Sequence, residues 1–260
     1  MELFDDGARR RRFKRDGLYG NFFGEGTMPN CTVRGMAQGQ DLLNQPYTLF
    51  KNTGFHLRPK VVYIHKGDQD TAEAYRQLIE ANGVAVDQLN MAQLPTANLR
   101  PYSLAIIAPE TGDLSEWGTD EMVRRIVEFK LPVLGLGKGG YAFFGKLKLN
   151  IGWGNGAHGT GDSVVRENFN DQFWHYPYDF LVAEQRIWQL YAEPSPRVGI
   201  FLSSQPTGVQ VFGYSSAQGQ YGDLIMENGR YLLWGFDKGP KSMTDDGRKL
   251  LVNAVYRTMQ

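Results

Sequence analysis

From Lys60 onward, short apolar runs alternate with segments whose apolar residues recur at helical spacing. Four runs are short enough to be buried strands, at residues 61–65, 84–89, 104–108 and 132–136. Two segments have helical periodicity, at residues 71–82 and 120–129. Strands that are apolar throughout and alternate with helices are typical of a parallel sheet covered on both faces. We therefore predict an α/β fold with a doubly wound, mainly parallel sheet.

The C-terminal part has a different pattern, in which strands follow one another through short turns. The predicted strands here are residues 198–203, 209–215, 222–226 and 230–236. Asn228 and Gly229 separate the last two and favour a type I′ hairpin turn, so these strands should be antiparallel. Thr244 is predicted to cap a closing helix that continues to Met259.

The first 58 residues show no helical periodicity. Short β-rich runs, separated by turn residues, lie at 18–23, 31–37 and 47–50. We therefore divide the chain into a short antiparallel β segment, residues 1–58, and an α/β domain, residues 59–260. Three strands cannot close two sheets, so the segment should lean on another domain or pair with a protein partner.

Composition excludes several classes of function. Lysine plus arginine and aspartate plus glutamate both number 28, and this zero net charge argues against nucleic acid and an anionic membrane as partners. The basic run at residues 9–15 is interpreted as a solvated turn, with a nucleic-acid patch as the alternative. Cys31 is the only cysteine, which excludes an internal disulfide and a thiolate-rich zinc site. No apolar run reaches the roughly 18 residues of a membrane helix, and we expect no metal and no cofactor.

The most informative motif is the stretch 131–147, which reads LPVLGLGKGGYAFFGKL. A buried strand enters a glycine cluster and a helix follows, which is the context of a nucleophile elbow. This stretch resembles class I glutamine amidotransferases, whose elbow reads apolar-Gly-x-Cys-x-Gly. Aligned on Gly135 and Gly139, the nucleophile position falls on Gly137, which keeps the strained turn and lacks the thiol.

A second motif near the C-terminus reads YLLWGFDKGPKSMTDDGRKLLVNAVYR. The strand, loop and helix match the same family, but Phe236 and Asp237 stand where the resemblance implies a catalytic histidine and its neighbour. The resemblance covers roughly 200 residues and implies a flavodoxin-like amidotransferase scaffold without its cysteine and histidine. We therefore predict a binding or structural module; the alternative is a hydrolase or other enzyme that acts on a small polar or sugar substrate without a cysteine.

The N-terminal run, which begins LFDDGARRRRFKRDGLYG, resembles the second half of an immunoglobulin-like module of secreted bacterial proteins. This resemblance favours a location outside the cytoplasm if the chain belongs to a longer exported protein, and the cytoplasm otherwise.

Ligands of open α/β sheets bind at the carboxyl ends of the strands. The candidate ligand-binding residues at that edge are His65, Glu110, Thr111, Lys138, Gly139, Gly140 and Asp237. Lys138 stands at the start of the elbow helix, where backbone N–H groups favour an anion, so a small anion is the expected ligand. The alternative is that Lys138 simply pairs with Glu110 or Asp237.

A glycine-rich and aromatic insertion follows the elbow helix at residues 152–179. Its aromatic side chains can line a carbohydrate cleft or pack into the domain, and they are Trp153, Trp174, His175, Tyr176 and Tyr178.

We predict that the protein has no glutaminase activity, because a thiolate mechanism needs a nucleophile and a base within hydrogen-bond reach. Gly137→Cys should also remain inactive, since it supplies a thiol without a histidine near Phe236 or Asp237. The measurement is ammonia release from glutamine. Release above the buffer blank that thiol alkylation abolishes would contradict the prediction.

Overall fold

The computed structural model describes residues 59–180 and 185–260 with their side chains, and residues 30–40 and 46–56 by their backbone. The chain separates into two compact units, Met1–Leu57 and Arg58–Gln260. The predicted strand at 18–23 and the basic run at 9–15 lie outside the described residues.

The first unit contains the strands β1 (Asn30–Gln40) and β2 (Pro46–His56). They pair antiparallel along their whole length, from Asn30 opposite His56 to Gln40 opposite Pro46. The predicted strands at 31–37 and 47–50 fall within them. Assignment of this unit to an immunoglobulin-like module stays a prediction.

The second unit mixes helices and strands in the predicted order. Its strands are β3 (Lys60–His65), β4 (Ala85–Asn90), β5 (Leu104–Ile107), β6 (Gly112–Asp113), β7 (Glu116–Trp117), β8 (Val133–Leu136), β9 (Gly156–Gly161), β10 (Ser163–Arg166), β11 (Ile187–Gln189), β12 (Ser195–Ile200), β13 (Val209–Ser215), β14 (Gly222–Glu227) and β15 (Tyr231–Trp234). Its α-helices are α1 (Gln69–Ala81), α2 (Asp120–Glu128), α3 (Gly137–Lys146) and α4 (Asp245–Thr258). Short 3-10 helices lie at Met91–Thr96, Pro109–Thr111, Gln172–Trp174 and Pro240–Ser242.

One side of the large sheet is parallel, in the order β4-β3-β5-β8-β15, with β4 at the edge. Beyond β15 the sheet continues antiparallel through β14, β13, β10 and β11, while β12 pairs with β14 and with β9. The parallel sheet is therefore confirmed for these five strands, and the remaining strands of the sheet pair antiparallel. Short connections impose this change of direction, since a tight turn joins only antiparallel neighbours. Asn228 and Gly229, both with positive φ, form such a turn between β14 and β15, as predicted.

Helices cover both faces of the sheet, which confirms the doubly wound arrangement. Alternate residues of β3 show the division, because Tyr63 packs in the core with Leu250 of α4 while Ile64 packs in the core with Phe143 of α3. All four central apolar residues of β3 are fully buried, as expected for a strand between two helical layers.

The predicted cap of the closing helix is also confirmed. The Thr244 side chain accepts a hydrogen bond from the Gly247 N–H at 3.0 Å, so α4 begins where the sequence indicates. Among the helices of the described residues, none combines the length and the apolar character that crossing a bilayer requires.

Part of the aromatic insertion packs against α4. Phe173 and Trp174 are fully buried, and Phe173 stacks on Phe212 with ring centroids 4.4 Å apart. The buried side chain of Asn253 in α4 holds the insertion through its amide. Its Nδ2 donates to the carbonyls of Phe173 at 3.0 Å and Tyr178 at 2.7 Å, and its Oδ1 accepts from the Tyr178 N–H at 2.9 Å. The packing alternative is therefore correct for Trp174.

We predict that Asn253→Ala lowers the free energy of unfolding by about 2 to 3 kcal/mol, because it leaves buried backbone groups of the insertion without partners. Urea denaturation followed by circular dichroism measures the change. The exposed Asn170, whose side chain makes no hydrogen bond within the described residues, serves as the control, and Asn170→Ala should change stability by about 0.5 kcal/mol or less. Equal effects of the two substitutions would contradict this role of Asn253.

Candidate functional site

The elbow between β8 and α3 is built as the sequence indicates. Gly137 is the first residue of α3 and has φ +48°, a left-handed conformation that a side chain disfavours. Gly140 lies one helical turn later, and a Cβ there would lie 2.3 Å from the backbone of Gly135. The helix therefore packs directly against the strand, backbone to backbone. The strand, the turn and the helix therefore form one rigid corner.

The carboxylate of Asp237 occupies the space that a side chain at position 137 would need. A Cβ added at Gly137 would lie 1.9 Å from Asp237 Oδ1. That oxygen accepts a hydrogen bond from the Lys138 N–H at 2.9 Å. The residue before the helix, Leu136, has no side-chain cap, so Asp237 supplies the missing acceptor from 99 residues along the chain.

Backbone pairing with the start of β12 fixes the position of Asp237. The Asp237 N–H donates to the Pro196 carbonyl at 2.9 Å, and the Lys238 N–H donates to Ser195 Oγ at 3.0 Å. Phe236 forms an antiparallel bridge with Arg197. The segment that follows β15 is therefore held beside the elbow, where it presents Asp237.

The surroundings of Asp237 act on its pKa in opposite directions. Burial raises the pKa of the Asp237 carboxyl above its ordinary value, while the Lys138 N–H and the charges of Lys138 and His158 lower it, and the net shift is upward. His158 lies in β9, and sequence reasoning did not place it here. Its segment, GAHGTG, carries no apolar alternation, and only pairing with β12 brings it towards the elbow.

Asp237 lines a cavity of about 380 Å³ at the carboxyl ends of the parallel strands. We call it the crevice, and its lining residues are Asp68, Thr71, Pro109, Glu110, Lys138, Asp237, Lys238, Gly239 and Ser242. Charged groups of both signs thus face the same small space.

The two lysines of the crevice are held only loosely. Lys138 Nζ lies 3.9 Å from Asp113 Oδ2, and Lys238 Nζ lies 3.8 Å from Glu193 Oε2. Neither ammonium donates a hydrogen bond to another residue of the described part of the chain. Exposed pairs at such distances contribute little to stability, so both charges are available to a ligand.

Of the predicted ligand-binding residues, Glu110, Lys138 and Asp237 line the crevice, whereas Thr111 and His65 do not. Thr111 is buried, and its hydroxyl already makes two hydrogen bonds within the protein. It donates to the Ala108 carbonyl at 2.7 Å and accepts from Trp117 Nε1 at 2.9 Å. The remaining two candidates, Gly139 and Gly140, are buried at the helix contact with Ala108 and Gly135.

Three buried polar atoms close to the crevice lack a hydrogen-bond partner among the described residues. They are the hydroxyls of Tyr63 and Tyr75 and Nδ1 of His65. Burial raises the pKa of Tyr63 well above its ordinary value, and the charges of Glu110 and Asp68 add to that rise. The two carboxylates of the crevice are therefore near enough to act on this buried hydroxyl.

No family model matches the chain, and no curated protein matches it in sequence. Solved structures with a similar chain course include the PurLQS structure of Thermotoga maritima, at 13% identity and a TM-score of 0.46 over 77% of this chain and 99% of that one. A glutamine amido transferase of Methylobacillus flagellatus has 11% identity and a TM-score of 0.45, over 78% and 94%. A glutamine amidotransferase of Thermotoga maritima has 12% identity and a TM-score of 0.39, over 78% and 97%. Similarity at this level does not allow an activity, a substrate or a site residue to be assigned to this chain.

We predict that Gly137→Ala lowers the free energy of unfolding by about 1 to 3 kcal/mol, since it adds backbone strain and displaces the Asp237 carboxylate. In the Asp237→Gly background only the backbone strain remains, so the same substitution should cost about 1 kcal/mol. A double-mutant cycle in urea measures the difference.

Gly219 provides the matched control for this cycle, because a Cβ there would meet nothing within 4 Å and its φ is ordinary. Strictly additive effects of Gly137→Ala and Asp237→Gly would show that the two groups do not compete for one space.

Proposed function

We propose that the second unit is a binding module without thiol chemistry, and that its crevice takes a small ligand bearing both an anionic and a cationic group. The observation that carries this proposal is the hydrogen bond from the Lys138 N–H to Asp237 Oδ1. It places the chain's own carboxylate at the centre of the elbow.

Two features of the elbow oppose acyl transfer. Gly137 offers no nucleophile, and the N–H at the helix start is already bound to a negative oxygen. Acyl transfer needs such an N–H free to stabilise the oxyanion of its intermediate. A developing oxyanion at this place would instead meet the carboxylate of Asp237 and be repelled.

The crevice nevertheless keeps the properties of a binding site. Its volume of about 380 Å³ lies within the range of small-molecule sites. Lys138 supplies a loosely paired ammonium for an anionic group, and Glu110 and Asp68 supply acceptors for a cationic one. The unpartnered hydroxyls of Tyr63 and Tyr75 add polar groups close by that water or a ligand would satisfy.

A second candidate is a hydrolase that uses Asp237 as a general base. The observation that favours it is the raised pKa of the partly buried Asp237 carboxyl, because shifted carboxyl groups in clefts are frequent in active sites. The crevice also holds Lys138, which can pair with a substrate anion.

Four probes test which charges the crevice recognises. β-Alanine carries both charges, while acetate and ethylammonium each carry one, and phosphate tests the simple anion predicted from the sequence. We expect β-alanine to bind more tightly than either half, as followed by NMR titration of the Lys138 and Asp237 amide signals.

Lys138→Ala should weaken β-alanine binding about 10- to 100-fold, the usual effect of losing a hydrogen bond to a charged group. Lys146, exposed at the other end of α3, gives the control, and Lys146→Ala should leave binding unchanged. Wild-type titrations without shifts for any of the four probes would refute the binding proposal. Hydrolysis of nitrophenyl glycosides or esters that Asp237→Asn abolishes would establish the hydrolase instead.

A further inference from the structure

A second cavity, of about 500 Å³, lies where the loop after β12 meets the start of β9. We call it the neutral cavity, and its lining residues are Asn150, Gly154, Asn155, Gly156, Ala157, Phe201, Leu202, Ser203, Ser204, Pro206 and Tyr221. None of these lining residues carries a charge, although 22% of the chain's residues do. The crevice differs sharply, since aspartate, glutamate and lysine side chains line it.

One wall of the neutral cavity is held in place by the elbow helix. The hydroxyl of Tyr141 accepts hydrogen bonds from the N–H groups of Gly154 at 3.2 Å and Gly156 at 3.0 Å. The same hydroxyl donates to the Gly156 carbonyl at 3.3 Å. Gly154 has φ +107°, so the loop takes a bend that a side chain would resist.

The opposite wall is joined to the first by a backbone hydrogen bond. The Phe201 N–H donates to the Asn155 carbonyl at 2.8 Å. Asn150 is fixed as well, because its Nδ2 donates to Glu227 Oε1 at 2.9 Å, which leaves its Oδ1 as an acceptor. Walls that are ordered before binding reduce the entropy that a ligand must overcome.

Several polar side chains of the neutral cavity are left without a hydrogen-bond partner among the described residues. Within residues 59–180 and 185–260, no hydrogen bond involves the side chains of Asn155, Ser203 or Ser204. Together they offer amide and hydroxyl groups that both donate and accept. Groups of this kind suit a ligand with many hydroxyls and no net charge.

Aromatic faces accompany these groups. Phe201 is 44% exposed, and its ring centroid lies 5.8 Å from that of Tyr221. Trp153, which directly precedes Gly154, is 42% exposed. Exposed aromatic rings beside neutral hydrogen-bonding groups form a surface on which the apolar face of a pyranose ring can pack.

We propose that the neutral cavity binds an uncharged carbohydrate, with Phe201 and Tyr221 as the aromatic face and Asn155, Ser203 and Ser204 as hydrogen-bonding partners. This site is separate from the crevice and does not depend on the function proposed for it. Trp153 is the member of the aromatic insertion that lies next to it, whereas Trp174 is buried in the core.

The test is an amide NMR titration of the full chain with glucose, galactose, cellobiose and maltose, and with glucuronate as the charged counterpart of glucose. We expect at least one neutral sugar to shift the signals of residues 154–157 and 201–204. Glucuronate should bind more weakly than glucose, because its carboxylate would lose water without gaining a cationic partner.

Phe201→Ala should weaken binding of that sugar about 3- to 10-fold, which corresponds to the loss of one aromatic contact. Phe169 is 58% exposed and lies outside the neutral cavity, so Phe169→Ala is the matched control and should have no effect. Lys138→Ala should also leave sugar binding unchanged, which separates this site from the crevice.

Three results would each overturn the proposal. They are the absence of shifts with all four neutral sugars up to their solubility, binding of glucuronate as tight as that of glucose, and equal affinity of the Phe201→Ala and Phe169→Ala variants. Asn155→Ala provides a second test within the cavity, and its sugar affinity should also fall.

Discussion

The hydrogen bond between the Lys138 N–H and the Asp237 carboxylate joins the two segments on which the second unit is organised. One is the elbow that leads from β8 into α3, and the other follows β15, the parallel neighbour of β8. The helix lacks a local cap and gains one from Asp237, while the partly buried carboxylate gains a donor that lowers the cost of its desolvation. Gly137 is the residue that permits both, because any side chain there would need the same space.

The two cavities share their supporting elements. Helix α3 places Lys138 in the crevice at its first turn and sends the Tyr141 hydroxyl to the wall of the neutral cavity one turn later. Strand β12 also contributes to both cavities, one at each of its ends. Its first residues hold Asp237 beside the elbow, and the loop after its last residue supplies Phe201 to the neutral cavity. Their different linings therefore reflect loops on one scaffold and not separate domains.

Local sequence patterns were sufficient for the elbow, because a buried strand, a glycine cluster and a helix follow one another within 131–147. They also indicated that the segment around Asp237 would lie near it. They could not show which group Asp237 binds, since that depends on contacts between segments 99 residues apart. Local patterns also could not predict the hydrogen bond that Thr111 accepts from Trp117, or the β structure of GAHGTG. Both depend on contacts that form only in the folded chain. The neutral cavity has no sequence motif, because only the pairing of β9 with β12 brings its two walls together.

A buried ion pair adds to the backbone pairing that holds β12, in which Val198 N–H donates to the Gly235 carbonyl at 2.8 Å and Asp237 N–H donates to the Pro196 carbonyl at 2.9 Å. Between β12 and β14 the ladder is a single pair, Ile200 with Gly222. The gap is filled by Arg197 and Asp223, whose side chains are 1% and 0% exposed and approach to 2.6 Å. Gly199 leaves the room this requires, since a Cβ there would lie 2.4 Å from the guanidinium. Loss of one partner of a buried pair leaves an unpaired charge and costs about 3 to 5 kcal/mol. Because β12 supports both cavities, we expect the loss of either Arg197 or Asp223 to disturb both of them together.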